Sequence, residues 1–246
     1  MRLRQVALVA RDLDPVVDTL CHVLGIEVSF RDPGVEVFGL RNAVMPIGDG
    51  FLEVVSPVKE GTTAGRFLER RGGDGGYMVI VQSQAKDEDR RRVGELGVRI
   101  AWEMQLEDAG TLHLHPRDVG GAILSLDWMD PAESWKWAGP DWRSHVCTGG
   151  AKEIRGVAIE AVDPLAMAAR WGEVLDVRCD GDEPRLRLDG GGRIEFVPGK
   201  GQGEGVGALL VSAADAEGMR ARARERRALD ESGAIRIAGT RIHIED

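Results

Sequence analysis

The stretch Leu112-His-Leu-His-Pro-Arg-Asp-Val-Gly-Gly-Ala-Ile-Leu-Ser-Leu126 decides the fold. Two short apolar runs enclose Pro116 and the pair Gly120-Gly121, which are residues that interrupt regular structure and turn the chain. The apolar residues from Ile123 to Leu126 are typical of a strand. The pattern therefore predicts a β-hairpin that closes a sheet.

Upstream of this hairpin, residues 1–57 predict a β-α-β-β-β unit. Val6 to Ala10 is an apolar run short enough for a buried strand. A helix is predicted from Asp12 to Gly25, because an N-cap residue precedes apolar positions at helical spacing and glycine ends them. Further strands are predicted over residues 28–30 and 35–40 and in a hairpin that follows them.

The same order of elements returns three more times along the chain. A second unit covers residues 76–126, a third begins at Ile154, and a shortened fourth runs from Ala208 to Ile244. Within the third unit, Val157-Ala158-Ile159 echoes Val6-Ala7-Leu8 of the first. Repeats of this kind determine the architecture. The repeats predict an α+β fold of four tandem βαβββ units with curved mixed sheets.

Pairing of the units predicts two domains, residues 1–128 and residues 151–246, joined by a connector at residues 129–150. Four of the six tryptophans lie between residues 128 and 150. A flexible linker avoids such large apolar side chains. We therefore expect the rings to dock against the rest of the chain, either joining the halves or covering a sheet edge. The alternative is that the rings form an aromatic cage for a ligand.

Composition narrows the range of partners. The chain has 246 residues, of which 43% are hydrophobic and 30% charged, as in a globular protein. The net charge of −9 argues against nucleic acid or an anionic membrane surface as a partner. Three widely spaced cysteines do not make a disulfide framework. No apolar run is long enough for a membrane span, so a cytoplasmic protein is expected.

Paired β-α-β-β-β units resemble the vicinal oxygen chelate superfamily, which includes glyoxalase I, extradiol dioxygenases, bleomycin-resistance proteins and methylmalonyl-CoA epimerase. Residues 3–127 resemble the epimerase and glyoxalase-like branch, and residues 153–246 resemble the superfamily more weakly. The matching pieces are Val6-Ala-Leu-Val with Asp12-Leu-Asp, Val23-Leu-Gly25, Gly48-Asp with Leu52-Glu53, Arg66-Phe-Leu-Glu-Arg-Arg-Gly72, and His115-Pro-Arg-Asp with Gly120-Gly121. The resemblance implies curved sheets around a cleft for a small organic molecule.

The resemblance also implies a metal site built from the first and last strands of each unit, with His, Glu or Gln ligands around a divalent ion. Its four positions fall on Gln5, Glu53, Tyr77 and Ser125. A neutral amide, a phenol and a hydroxyl hold transition metals poorly, which leaves Glu53 as the one good ligand. The position of the epimerase's catalytic carboxylate carries Pro46. We expect a degenerate metal site and assign no cofactor, with a divalent metal as the open alternative.

In the second half, the corresponding positions carry Gly156, Glu195, Gly207 and His243. Glu195 and His243 are candidates for a two-ligand metal remnant. The alternative is an ordinary strand glutamate and a near-terminal histidine.

Two further histidines, His113 and His115, alternate, so that both would point to one face of a strand. This spacing is compatible with a metal site. In the family, however, the histidine of the hairpin that matches His115-Pro116 is not a metal ligand. We favour a loop role over a metal role and include His115 among the substrate-binding candidates.

Three functions compete on these residues, and whether the chain is an enzyme is left open. The first is a metal-independent or weakly metallated lyase or isomerase of the glyoxalase or epimerase kind, with Gln5 and Ser125 in the pocket, Glu53 as base and Tyr77 as acid. The second is a non-catalytic protein that binds or sequesters a small molecule, as bleomycin-resistance proteins do. The third is a structural or partner-binding role for the second half. A monomer or a homodimer is expected.

Overall fold

The computed structural model of the chain describes residues 1–181, 183–199 and 203–245. Across these residues, fourteen strands form one mixed sheet. The strands are β1 Arg2–Val9, β2 Leu40–Ile47, β3 Gly50–Pro57, β4 Gly75–Gln82, β5 Ile100–Gln105, β6 Ala109–Leu114, β7 Ile123–Met129, β8 Ala151–Ala161, β9 Cys179–Asp180, β10 Glu183–Arg187, β11 Arg193–Pro198, β12 Gly205–Ala213, β13 Ile235–Ile237 and β14 Thr240–Glu245.

Helices fill the intervals between the strands. The α-helices are α1 Leu13–Leu24, α2 Thr63–Arg71, α3 Lys86–Glu95, α4 Pro116–Val119, α5 Pro164–Leu175 and α6 Ala216–Glu225. Short 3-10 helices cover Pro33–Phe38, Lys136–Ala138 and Trp142–His145. Within the described ranges, no helix combines the length and apolar composition needed to cross a bilayer.

The strand order repeats four times, as the sequence predicts. In each unit the first strand pairs in parallel with the last, in the pairs β1–β3, β4–β7, β8–β11 and β12–β14. The first strands of neighbouring units pair antiparallel, β1 with β4 and β8 with β12. A single bridge between Val206 and Gly76 joins the two pairs of units. The α+β class with four tandem units and a curved mixed sheet is confirmed, whereas the division at residues 128 and 151 into two domains stays a prediction.

The first unit departs from its predicted order in one place. The strand predicted over residues 35–40 is wrong, because the 3-10 helix Pro33–Phe38 covers most of it. Asp32 accepts a hydrogen bond from the backbone N–H of Gly34 at 2.8 Å, and proline takes the first helical position. Gly39, at φ 71°, then ends the helix. The short strand predicted before it is reduced to one β-bridge.

The two faces of the sheet have different coverings. One face packs against α1, α3, α5 and α6 and forms the main core, to which Val6 and Leu8 of β1 belong. Gln5, Ala7 and Val9 alternate with them and point to the opposite face, called here the cleft face. Since side chains alternate along a strand, this register decides which residues of β1 line the cleft.

The tryptophans of the connector are docked, and they cover the cleft face of the first half rather than a sheet edge. Trp135 and Trp142 are 1% and 5% exposed and pack on Phe51, with ring centroids 6.0 and 4.9 Å away. The guanidinium of the fully buried Arg4 lies over all three rings, 5.1 to 5.6 Å from their centroids. Arg4 also forms an ion pair with Asp49 at 2.7 Å. Aromatic packing and a buried cation therefore fix the connector to the first half.

Candidate functional site

The cleft face of the first half carries two buried carboxylates, Glu53 on β3 and Asp127 on β7. Glu53 is 7% exposed and Asp127 is 3% exposed. In the strand order β3-β1-β4-β7, Glu53 is the parallel partner of Ala7, and Asp127 is the partner of Gln82. We call the two carboxylates and their hydrogen-bond partners the carboxylate cluster.

Glu53 accepts one hydrogen bond on each carboxylate oxygen. Asn42 Nδ2 donates to Oε1 at 2.6 Å, and Gln5 Nε2 donates to Oε2 at 2.8 Å. Both amides are fixed in orientation, since Asn42 Oδ1 accepts from the backbone N–H of Asp32 and Gln5 Oε1 accepts from Trp135 Nε1. Burial raises the pKa of Glu53, and the hydrogen bonds from Asn42 and Gln5 oppose that rise. Because both amide groups are held in place, neither can flip to present its oxygen to Glu53 as an acceptor.

Asp127 has partners of a different kind. The hydroxyls of Ser125 and Thr111 donate to Oδ1, the latter at 2.7 Å, and Trp137 Nε1 donates to Oδ2 at 2.7 Å. Burial raises the pKa of Asp127 to about 6 in spite of these three donors. A hydroxyl both donates and accepts, so Ser125 and Thr111 can keep their hydrogen bonds in either protonation state of Asp127.

Two strands, β1 and β4, lie between the strands that carry the two carboxylates. Gln5, Ile80 and Ser125 form one row across β1, β4 and β7, which connects the partner of Glu53 with the partner of Asp127. After burial, the charge of Asp32 and then that of Asp127 add to the raised pKa of Glu53.

Tyr77 lies on β4 but outside this cluster. Its ring packs edge-on against Phe67 of α2, with centroids 5.3 Å apart, and burial raises its pKa to about 12. In the part of the chain that the structure describes, no hydrogen bond joins Tyr77 to Glu53 or Gln5. The two donors to Glu53 are Gln5 of β1 and Asn42 of β2.

The structure does not bring His115 into the cluster either. His115 precedes α4, and its Nδ1 accepts from the backbone N–H of Arg117 at 3.3 Å. The other histidine of the hairpin, His113, packs its ring against Phe38 and Trp102. Burial lowers the pKa of His113 to about 4, so that its ring is neutral at physiological pH.

In the second half, the candidate ligands take part in other contacts. Glu195 Oε1 accepts from Arg193 Nε at 2.7 Å, and Arg185 lies 3.4 Å from the same oxygen. Arg193 also forms an ion pair with Glu245. His243 is exposed on β14, and among residues 1–181, 183–199 and 203–245 no hydrogen bond connects it to Glu195. The arrangement is a network of ion pairs on the cleft face.

The donors of the first half do not fit a divalent metal as they stand. Both amide atoms of Gln5 and both oxygens of Glu53 are bonded to other groups of the chain, and Ser125 is bonded to Asp127. Tyr77 lies apart. Within the described ranges, no three His, Cys, Asp or Glu side chains form a group that could hold a metal ion. The expectation of no assigned cofactor stays a prediction.

Sequence reasoning missed several members of the cluster. Asp127 follows Ser125 by two positions in a strand, so alternation alone places both on one face. Thr111 stands opposite Asp127 in the antiparallel pair β6–β7, which depends on a register that the sequence does not specify. For Trp135 and Trp137, the only signal was that a buried indole needs an acceptor for its N–H.

One family model and several known proteins resemble parts of this chain. A family model described as Glyoxalase-like domain matches residues 6–175. The ethylmalonyl-CoA/methylmalonyl-CoA epimerase of Cereibacter sphaeroides is 25% identical over 130 residues, which are 51% of this chain and 96% of the relative.

Among solved structures, a variant of Streptomyces coelicolor methylmalonyl-CoA epimerase in complex with 2-nitronate-propionyl-CoA has a TM-score of 0.49 at 24% identity, covering 55% of this chain and 99% of that chain. Methylmalonyl-CoA epimerase from Mycobacterium tuberculosis has a TM-score of 0.46 at 23% identity, covering 52% of this chain and 87% of that chain.

Proposed function

The chain belongs to the glyoxalase-like domain family, and from this we propose that it acts on a small organic molecule by metal-independent proton transfer, as a lyase or an isomerase. The observation that carries the proposal is the pair of buried carboxylates, Glu53 and Asp127, on one face of the sheet. Buried carboxylates with raised pKa values are characteristic of acid–base sites.

Asp127 is the proton carrier in this proposal. General acid–base catalysis is most effective when the pKa of the group lies near the operating pH, and the pKa of Asp127 is about 6. Its hydroxyl partners Ser125 and Thr111 can reverse their hydrogen bonds when the proton arrives. Glu53, held by two fixed donors, is the second carboxylate and the alternative base.

Substrate access requires the connector to move. Trp137 donates to Asp127, and Trp135 donates to Gln5 beside Glu53. A substrate that binds Asp127 through Oδ2 replaces the N–H of Trp137, and Trp135 of the same connector covers Gln5 beside Glu53. The proposal therefore includes displacement of the connector from the cleft face.

Proton exchange tests the proposal directly. Methylmalonyl-CoA and ethylmalonyl-CoA, taken from the name of the relative, are incubated with the protein in D2O, and deuterium at the acidic carbon is followed by mass spectrometry. We expect exchange that survives EDTA and that falls by at least about 100-fold in Asp127→Asn. Tyr77→Phe tests the role of Tyr77 as acid and is the matched control, and we expect it to retain activity. Equal exchange by Asp127→Asn and the unaltered protein would refute the proposal.

A second candidate is non-catalytic binding or sequestration of a small molecule. It needs no free carboxylate, and in the structure both Glu53 and Asp127 are already hydrogen-bonded to groups of the chain. Binding that is unchanged in both Glu53→Gln and Asp127→Asn, without turnover, would support this candidate over the first.

A further inference from the structure

A groove of about 1020 Å³ lies where the end of α2 meets the fourth unit. Its walls come from residues 71–74 on one side and from the loop 229–232 and the turn at residues 238–239 on the other. None of its lining residues belongs to the carboxylate cluster. The groove is therefore a separate surface, and its most unusual member is Arg71.

Two glycines make room for the guanidinium of Arg71. A Cβ atom added at Gly75 of β4 would lie 2.3 Å from Arg71 Nε, and one added at Gly205 of β12 would lie 2.9 Å from Nη1. Larger residues at these positions would displace the side chain. Arg71 thus lies across the backbone of two strands, at the point where the first half meets the fourth unit.

The N–H groups of Arg71 have no acceptor among the residues that the structure describes. Burial lowers the pKa of Arg71, the charge of Glu160 opposes this, and the like charge of Arg236 adds to it. Half-burying a cation without a hydrogen-bonding partner is costly. A ligand that supplies oxygen acceptors would recover that cost.

Three acids line the groove: Asp74 and Asp230 are bonded to the chain, and Glu231 is exposed. Asp230 accepts from Arg241 Nε at 2.8 Å and from the backbone N–H and hydroxyl of Ser232. Asp74 accepts from the backbone N–H of Arg11 at 2.9 Å. Asp74 and Asp230 are thereby satisfied by the chain itself, whereas Arg71 is not.

We propose that the groove binds a small oxyanion, a phosphate ester or a carboxylate, through Arg71. A guanidinium presents parallel N–H groups that match two oxygens of such an anion. This site is independent of the proton transfer proposed for the first cleft, and neither depends on the other.

Calorimetric titration of the full chain at low salt, with inorganic phosphate and separately with malonate, tests the site. We expect saturable binding of at least one anion, and the tighter one identifies the class. Arg71→Met should weaken that binding by about tenfold or more, since it removes charged hydrogen bonds. Arg71→Lys, which keeps the charge but loses the fork, should give an intermediate loss.

Arg70→Met is the matched control, because it removes the same charge from the exposed neighbouring position on α2. We expect this variant to bind within about twofold of the unaltered protein. Thermal unfolding of each variant shows whether it is folded, and Arg71→Lys provides the test if Arg71→Met is not. Equal losses in Arg70→Met and Arg71→Met, or no saturable binding of either anion, would overturn the proposal.

Discussion

The indole N–H of Trp135 lies 2.7 Å from the amide oxygen of Gln5, although 130 residues separate the two in the sequence. This hydrogen bond joins the connector to the first strand of the chain. It also fixes the amide of Gln5 so that its N–H points at Glu53. The orientation of a residue in the cleft is thus set by a segment outside it.

Removing this hydrogen bond should destabilise the fold. In Trp135→Phe, the oxygen of Gln5 is left buried without a donor, and we expect a loss of about 1–3 kcal/mol in the free energy of unfolding in urea. Trp102→Phe is the control, since Trp102 packs against Phe38 and His113 by its ring. A loss in Trp135→Phe no larger than the loss in Trp102→Phe would contradict the expectation.

The two carboxylates should respond differently to neutral replacement. Glu53→Gln brings an amide N–H against the fixed donors Asn42 and Gln5, and we expect a loss of about 1–3 kcal/mol at pH 7.5. Asp127→Asn meets hydroxyls that can turn to accept, so its loss should be smaller. Urea unfolding of both variants measures the contrast, and the reverse order of stabilities would show that the partners of Glu53 are not fixed.

The stability of the fold should depend on pH through Asp127. Its pKa in the folded chain, about 6, lies above the ordinary value of 3.8, so the folded state holds the proton more tightly than the unfolded state. This contribution is fully present below the unfolded pKa and is lost as pH rises through 6. The unfolding free energy of the unaltered protein, relative to Asp127→Asn, should therefore fall by on the order of 3 kcal/mol between pH 4 and pH 7. A difference that does not change with pH would contradict the raised pKa.

Trp137 should tune that pKa. Its indole N–H bonds to Asp127 and favours the ionised form, so Trp137→Phe should move the pKa of Asp127 above 6. A carboxyl titration followed by NMR measures the midpoint. Trp128→Phe is the control, since the ring of Trp128 lies beside the ammonium group of Lys86, and Trp137 is the tryptophan that donates to Asp127. Equal midpoints in the two variants would contradict a role for the Trp137 hydrogen bond.

Much of the fold was predictable because strands and helices leave periodic patterns in the sequence. The same order of elements occurs four times, so each occurrence supports the assignment of the others. The first cleft was partly predictable. The family resemblance placed Glu53 and Gln5 in one implied site, and the structure shows a hydrogen bond between them. Asn42 and the indole partners escaped prediction because they depend on strand register and on where a distant segment docks.

The strand predicted over residues 35–40 failed for a local reason. An apolar pattern indicates burial, but Val37 in that stretch is 71% exposed. The cap formed by Asp32 and Pro33 determined the structure there instead of the apolar residues that follow. Local backbone chemistry overrode the hydrophobic pattern.

The docked connector has a thermodynamic consequence for any ligand of the first cleft. Trp135 and Trp137 are covalently tethered competitors, and a short tether presents its group at an effective concentration of about millimolar. The observed dissociation constant of a ligand equals its intrinsic value divided by the fraction of molecules in which the tether is released. Variants that loosen the connector, such as Trp135→Phe, would therefore bind more tightly even as they become less stable.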